Sequence, residues 1–195
     1  MKIWHIDSSA RNEQSHSKRL TKQFVETLSN KTTVETNALD VSAGLPFLND
    51  LMVTSYFTPD DQRTEEQKSV ISVSNNIVKS AKESDVWVIG IPVYNFFAPA
   101  SFKAFIDLLC RAKETFSYGE NGPVGLLENK KVFVVITSGG TQIGSDQDFL
   151  TPWLIHCLNF IGVSDVQFIK ADQYSPEKDD AITKQIEDIT SELAK

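Results

Sequence analysis

Three stretches of this chain hold the side chains best suited to gripping a ligand. The first is a polar run from Asp7 to Ser17 in which Ser9, Ser15, His16 and Ser17 crowd the approach to a helical pattern of Leu20, Phe24 and Leu28. Serine hydroxyls, helix-start N–H groups and the positive end of the dipole together suit a phosphate, each charge-assisted bond being worth about 1.5–3 kcal/mol. An ordinary serine N-cap would use the same residues. His16 could donate to the phosphate, or Ser15 and backbone amides could suffice without it. The second stretch is Pro92-Val93-Tyr94-Asn95-Phe96-Phe97-Ala98-Pro99. Pro92 has no N–H to continue a central ladder and Pro99 suits a first helical turn, so the residues between them form an irregular turn. Two aromatics, a turn-forming amide and free backbone N–H groups fit a flat ring with polar edges. The third is Thr137-Ser138-Gly139-Gly140-Thr141, where paired glycines allow either close backbone approach to a ligand or a bare tight turn.

Acid–base and metal chemistry lack comparable material. His5, His16 and His156 form no cluster and have no evident Ser or Cys partner, and no metal-ligand spacing occurs. Cys110 and Cys157 lie far apart among apolar helical positions, which suits reduced packing roles. Neither Gly-x-Gly-x-x-Gly nor a Walker pattern is present, which argues against a Rossmann site or an ATPase loop. The 195 residues carry 26 acidic against 19 basic groups, a formal charge of −7, with no dense Lys/Arg block; nucleic acid and anionic membranes are poor partners for such a surface. The opening residues are too short an apolar run for a signal peptide, and no run approaches the roughly 20 residues of a membrane helix, so a cytoplasmic protein is expected.

The elements that must position these loops follow from periodicity. Strands are expected over 2–6, 33–39, 86–91, 131–136 and 163–171, the third and fourth being continuous apolar runs of the kind buried on both faces. In the last, Val166, Phe168 and Lys170 are expected to point outward from an edge strand. Helices are expected over 64–82, 100–112, 148–161 and 176–194, with Phe149 and Trp153 turned inward in the third and Phe160 off its stripe. The connection 40–63 is long for a compact domain; its Phe47, Tyr56 and Phe57 either line a pocket or pin the loop. Residues 115–123 alternate aromatics and end in Asn-Gly-Pro, an extended excursion presenting Phe116 and Tyr118. Right-handed crossovers turn about five β/α pairs into one α/β domain, 1–195, with a doubly wound parallel sheet. Its loops suit the flavodoxin-like order 2-1-3-4-5, with the ligand at the switch between strands one and three.

Taken together, the Ser9 to Ser17 loop, the Tyr94-Asn95-Phe96 turn between its prolines, the Phe116 to Pro123 segment and the Ser138-Gly139-Gly140 loop resemble the FMN-dependent NADH-azoreductase family over nearly the whole chain. The resemblance implies that Ser9, Ser15, His16 and Ser17 hold the FMN phosphate. It implies that Pro92, Val93, Tyr94, Asn95 and Phe96 wrap the ring and ribityl chain, while Ser138, Gly139, Gly140 and Thr141 meet the pyrimidine edge. Tyr118 and Phe160 would come from the partner of a homodimer to build the substrate pocket beside Phe97. The implied activity is ping-pong hydride transfer from NADH or NADPH through flavin N5 to quinones and azo compounds, with no catalytic side chain because the flavin carries the chemistry. Two other classes stay open: a flavodoxin-type electron carrier, and a flavin-binding regulator without turnover. The chain departs from the family where Thr141-Gln142-Ile143 follows only two glycines, a feature that bears on substrate preference.

Overall fold

A computed structural model describes residues 1–173 and 175–195. Strands β1 (Lys2–Asp7), β2 (Glu35–Asp40), β3 (Val86–Pro92), β6 (Lys131–Ser138) and β7 (Asp165–Asp172) form one sheet in the order β2-β1-β3-β6-β7. Every neighbouring pair in it is parallel. With the five strands renumbered in sequence this is the order 2-1-3-4-5. A separate antiparallel hairpin, β4 (Phe116–Gly119) and β5 (Gly122–Gly125), carries the aromatic excursion.

Period-two alternation explains the continuous apolar runs. Trp87 and Ile89 of β3 face a core shared with Trp4, Ile6, Val132 and Val134, while Val86 and Val88 face the opposite one with Ile3, Phe133 and Val135. The first core is covered by α4 (Ser72–Glu83), α5 (Ala100–Leu109) and α6 (Leu150–Phe160); the second by α1 (His16–Ser29) and α7 (Pro176–Leu193). On α1 the i, i+4, i+8 series Leu20, Phe24 and Leu28 is wholly buried, and each such side chain contributes about 1.5–3 kcal/mol. Phe24 meets Phe133 of β6 at a ring separation of 5.1 Å.

Close approach of α1 to the sheet depends on Gly90. A Cβ there would come within 2.8 Å of Asp7 Oδ1 and 3.0 Å of Thr21 Cγ2. Thr21 Oγ1 donates to the same Asp7 oxygen at 2.8 Å, so helix, β1 and β3 are drawn together beneath the start of α1.

Several expectations are corrected. The 40–63 connection contains a 3-10 turn at Val41–Ala43 and a helix, α2 (Asp50–Phe57), whose N-terminus is capped by Asn49 accepting from Met52 N. The helix expected over 64–82 is two: α3 (Glu65–Val70), opened by a Thr64/Gln67 capping box, and α4, with the joint at Ile71. Breaking there lets Ile71 bury, 1% exposed, where one straight helix would have followed a single stripe. Helix α5 ends at Leu109 because Cys110 leaves helical geometry with ψ at 87°. Phe149 precedes α6 and is 59% exposed. In β7, Lys170 is exposed, but Val166 and Phe168 are half-buried against the α4–α6 core.

Candidate functional site

A cleft of about 410 Å³ opens at the carboxyl ends of β1, β3 and β6. This is the side on which open α/β sheets bind ligands, and β1 and β3 flank the point where the winding reverses. Of the residues singled out from sequence, Ser9, Ser15, His16, Pro92, Val93, Tyr94, Ser138 and Gly139 line it.

One wall is the start of α1. Ser15 is the N-cap, its Oγ accepting from Lys18 N at 3.3 Å, and Ser17 Oγ lies 3.3 Å from Ser15 Oγ with its residue wholly buried. Cap and cradle therefore do not compete: a hydroxyl that accepts from an N–H retains its own O–H for a phosphate. No acidic residue stands in the first turn of α1. Its leading N–H groups have no intrahelical partner, and the dipole there favours an anion. Lys18 Nζ is held by Asp40 Oδ2 at 2.7 Å, at the carboxyl end of β2. Partial burial raises the Asp40 carboxyl, but bonds from Lys18 and Ser42 outweigh it and hold the group below its usual range.

The second wall follows β3. Tyr94 N donates to Phe97 O at 2.9 Å and Phe97 N donates to Tyr94 O at 3.1 Å, closing a two-residue turn with Asn95 at φ 50° and Phe96 at φ 68°. Both signs are those of a type I′ turn, which asparagine adopts far more readily than phenylalanine. Holding Phe96 there costs about 1–2 kcal/mol. Tyr94 OH lies 3.3 Å from Ser9 Oγ and accepts from Ala10 N at 3.3 Å, joining this turn to the serine loop.

The third wall ends β6. Val93 N donates to Thr137 O at 2.7 Å, and Ser138 Oγ accepts from Gly140 N at 3.2 Å and Thr141 N at 2.8 Å. The hydroxyl of Ser138 thus shapes its own loop. A Cβ on Gly139 or Gly140 would meet no protein atom within 4 Å, so the loop's edge is bare backbone. Below it, Asp148 accepts from Gly144 N at 2.8 Å and Thr151 N at 2.9 Å. Burial raises that carboxyl, yet the surrounding N–H donors win and hold it below its usual value.

Ser17, Asn95, Phe96, Gly140 and Thr141 adjoin the cleft in sequence without lining it. Phe97 turns to Trp153 of α6, ring centres 4.8 Å apart. Tyr118 and Phe160 gather around Phe116, at 5.6 and 4.4 Å, and neither reaches the cleft of its own chain. Arg11, Gln14 and Thr137 line the cleft and were not among the expected site residues. Their signal was proximity in sequence: Gln14 adjoins Ser15, Thr137 adjoins Ser138, and Arg11 lies two residues after Ser9.

The donor set fits FMN. A helix start with serine hydroxyls suits the phosphate, an aromatic turn suits the ring, and exposed backbone suits a polar ring edge. Among the described residues that line the cleft none is a carboxylate. A family model described as flavodoxin-like fold matches residues 1–193. An FMN-dependent NADH:quinone oxidoreductase 1 from Hahella chejuensis is 46% identical over 88% of this chain and 85% of its own. Another, from a Jannaschia species, is 43% identical over 92% of each. A solved FMN-dependent NADH-azoreductase from Bacillus anthracis, in complex with FMN, superposes with a TM-score of 0.88 over all of both chains at 24% identity, a likeness of fold. By sequence and by architecture, the chain belongs to the flavodoxin-like family that contains the FMN-dependent NADH:quinone oxidoreductases.

Proposed function

We propose that this protein is an FMN-dependent oxidoreductase that uses NADH to reduce quinones and aromatic azo compounds. The observation that carries the reading is the convergence of three chemically different loops on one cleft, in a chain more than two-fifths identical to proteins named for that activity. When bound, FMN supplies the two-electron chemistry between donor and acceptor.

The chain's own work is binding and orientation. Ser9, Ser15 and the first N–H groups of α1 take the phosphate, with His16 and Ser17 completing that loop. Pro92, Val93 and Tyr94 present a rigid wall, and the strained turn through Asn95 and Phe96 extends it over the ring. Ser138, Gly139, Gly140 and Thr141 form the loop that meets the ring's polar edge, its shape held by Ser138 Oγ, which takes the N–H groups of Gly140 and Thr141. With no carboxylate among the described residues of the lining, none of them opposes added electrons by its charge.

A second copy completes the site in this reading. Tyr118 is 76% exposed at the tip of the β4–β5 hairpin, backed by Phe116 and Phe160, and an aromatic arm displayed to solvent suits insertion beside Phe97 of a partner. Among the described residues no helix is long and apolar enough to cross a membrane. A cytoplasmic location fits the need for reduced nicotinamide and the two free thiols.

The test is steady-state turnover of FMN-loaded protein with NADH and NADPH against a quinone and an azo dye. Oxidation of NADH coupled to both acceptors is expected. Failure to retain FMN would sink the reading, and tight FMN binding without turnover would replace it with an electron carrier or a regulator.

A further inference from the structure

The phosphate end of the cleft poses a problem of charge. A flavin monophosphate brings close to two negative charges into a protein that already carries −7, and the hydroxyls and N–H groups around it are neutral. The nearby cations are almost all committed. Lys18 is paired with Asp40 at 2.7 Å and Arg19 with Asp179 at 2.5 Å. Farther off, Arg63 holds Asp60, and Arg111 lies over the Tyr56 ring and donates to Ser74 and Asn75.

Arg11 is the exception. It sits between Ser9 and the Ser15 cap, and its backbone N donates to Ser9 Oγ at 3.2 Å, which closes the loop. Its side chain is exposed and, among the described residues, has no ion pair or hydrogen bond. It lines the main cleft and also an adjoining recess of about 390 Å³ that shares Gln14, Ser15 and His16 with it. Arg11 therefore stands at the mouth where the phosphate end of the cleft meets solvent. Glu13 also borders that recess and forms no ion pair with Arg11. A planar guanidinium presents paired donors that match two phosphate oxygens, a match no residue of the cradle below can make.

We infer that Arg11 closes over the phosphate of the bound flavin from the solvent side and is the residue that makes this site select the 5′-phosphorylated flavin over riboflavin. This rests on the cofactor reading above. The serine loop and the start of α1 supply shape and neutral bonds; Arg11 supplies the opposing charge. An arginine left without a carboxylate among the described residues of an acidic protein is thereby explained, since a resident partner would compete with the ligand.

Titration of flavin-free full-length protein with FMN and with riboflavin, followed by flavin fluorescence at several salt concentrations, tests the assignment. Arg11→Gln should bind FMN about 10- to 100-fold more weakly, the range expected for losing one charged hydrogen-bonding group. Its riboflavin affinity should stay at the wild-type value, and the salt dependence of FMN binding should flatten. Arg11→Lys should recover part of the FMN affinity. Because the side chain has no partner among the described residues, both variants are expected to unfold at the wild-type temperature. Unchanged FMN affinity in Arg11→Gln, or equal weakening toward both flavins, would overturn the assignment while leaving the cofactor reading intact. Wild-type protein that binds neither flavin would overturn both.

Discussion

Phe96 is the residue whose backbone most plainly serves something other than stability. At φ 68° a phenylalanine is strained through its Cβ, and the residue is 54% exposed, so packing gives little return for it. Glycine and alanine separate backbone from ring. At an ordinary position alanine is the more stable of the two, but here Phe96→Gly should be more stable than Phe96→Ala by about 1 kcal/mol, and both should hold flavin less well. Thermal unfolding of the pair checks the sign. Asp148 carries the opposite logic. Its folded-state pKa is depressed, so its contribution is present above the unfolded value of about 3.9 and is lost as pH falls through the lower folded value. Asp148→Ala should therefore cost about 1 kcal/mol at neutral pH, with the gap to wild type shrinking only in the acid range. Denaturant unfolding at pH 7 and pH 3 measures it; a gap that stays constant with pH would remove the carboxylate from the account.

Among the elements, the hairpin depends on one backbone crossing. A Cβ on Gly125 would overlap the N and Cα of Gly162, and Leu127 N donates to Ile161 O at 2.9 Å beside it. β5 can thus lie directly on the end of α6, and this brings Phe116 onto Phe160. Gly125→Ala must lift the hairpin away. A loss of at least about 2 kcal/mol in unfolding free energy is expected, together with a changed environment for Tyr118 in near-ultraviolet circular dichroism. A variant as stable as wild type would show that the crossing has slack. The other end of the arm is held by Arg111, whose carbonyl accepts from Glu114, Thr115 and Phe116 N–H groups while its guanidinium grips α4 and stacks on α2.

The molecule as a whole leaves more aromatic surface in water than a monomer needs. Phe47, Phe57, Tyr118 and Phe149 are all more than half exposed, with Val124 and Leu126 beside Tyr118 along the hairpin and the chain after it. Sedimentation should give the mass of a dimer, and Tyr118→Glu should shift it toward monomer and lower turnover. A wild-type monomer at every concentration would refute the shared-site reading. The thiols stay apart from this chemistry. Burial, then the nearby Cys157 and Asp107, pushes Cys110 up to about 12, and burial raises Cys157 too, which matches packing rather than reactive roles.

By itself the sequence determined whatever is local or periodic. Apolar runs at Val86 and Lys131 made buried strands, helical stripes such as Leu20, Phe24 and Leu28 made covering helices, and right-handed crossovers then left few sheet orders. The three loops were visible because serines at a helix start, an aromatic turn between prolines and paired glycines each have a short-range physical cause. What remained depended on contacts between residues far apart in the chain, which periodicity does not encode. The α3–α4 break, the short helix α2 and the exposure of Phe149 are such cases. So is the half-burial of Val166 and Phe168, which requires knowing that a helix lies over that face of β7. The same holds at the site: only the folded molecule shows that Lys18 is taken by Asp40 and that Arg11 has no partner among the described residues, because a pairing is a property of space and not of spacing.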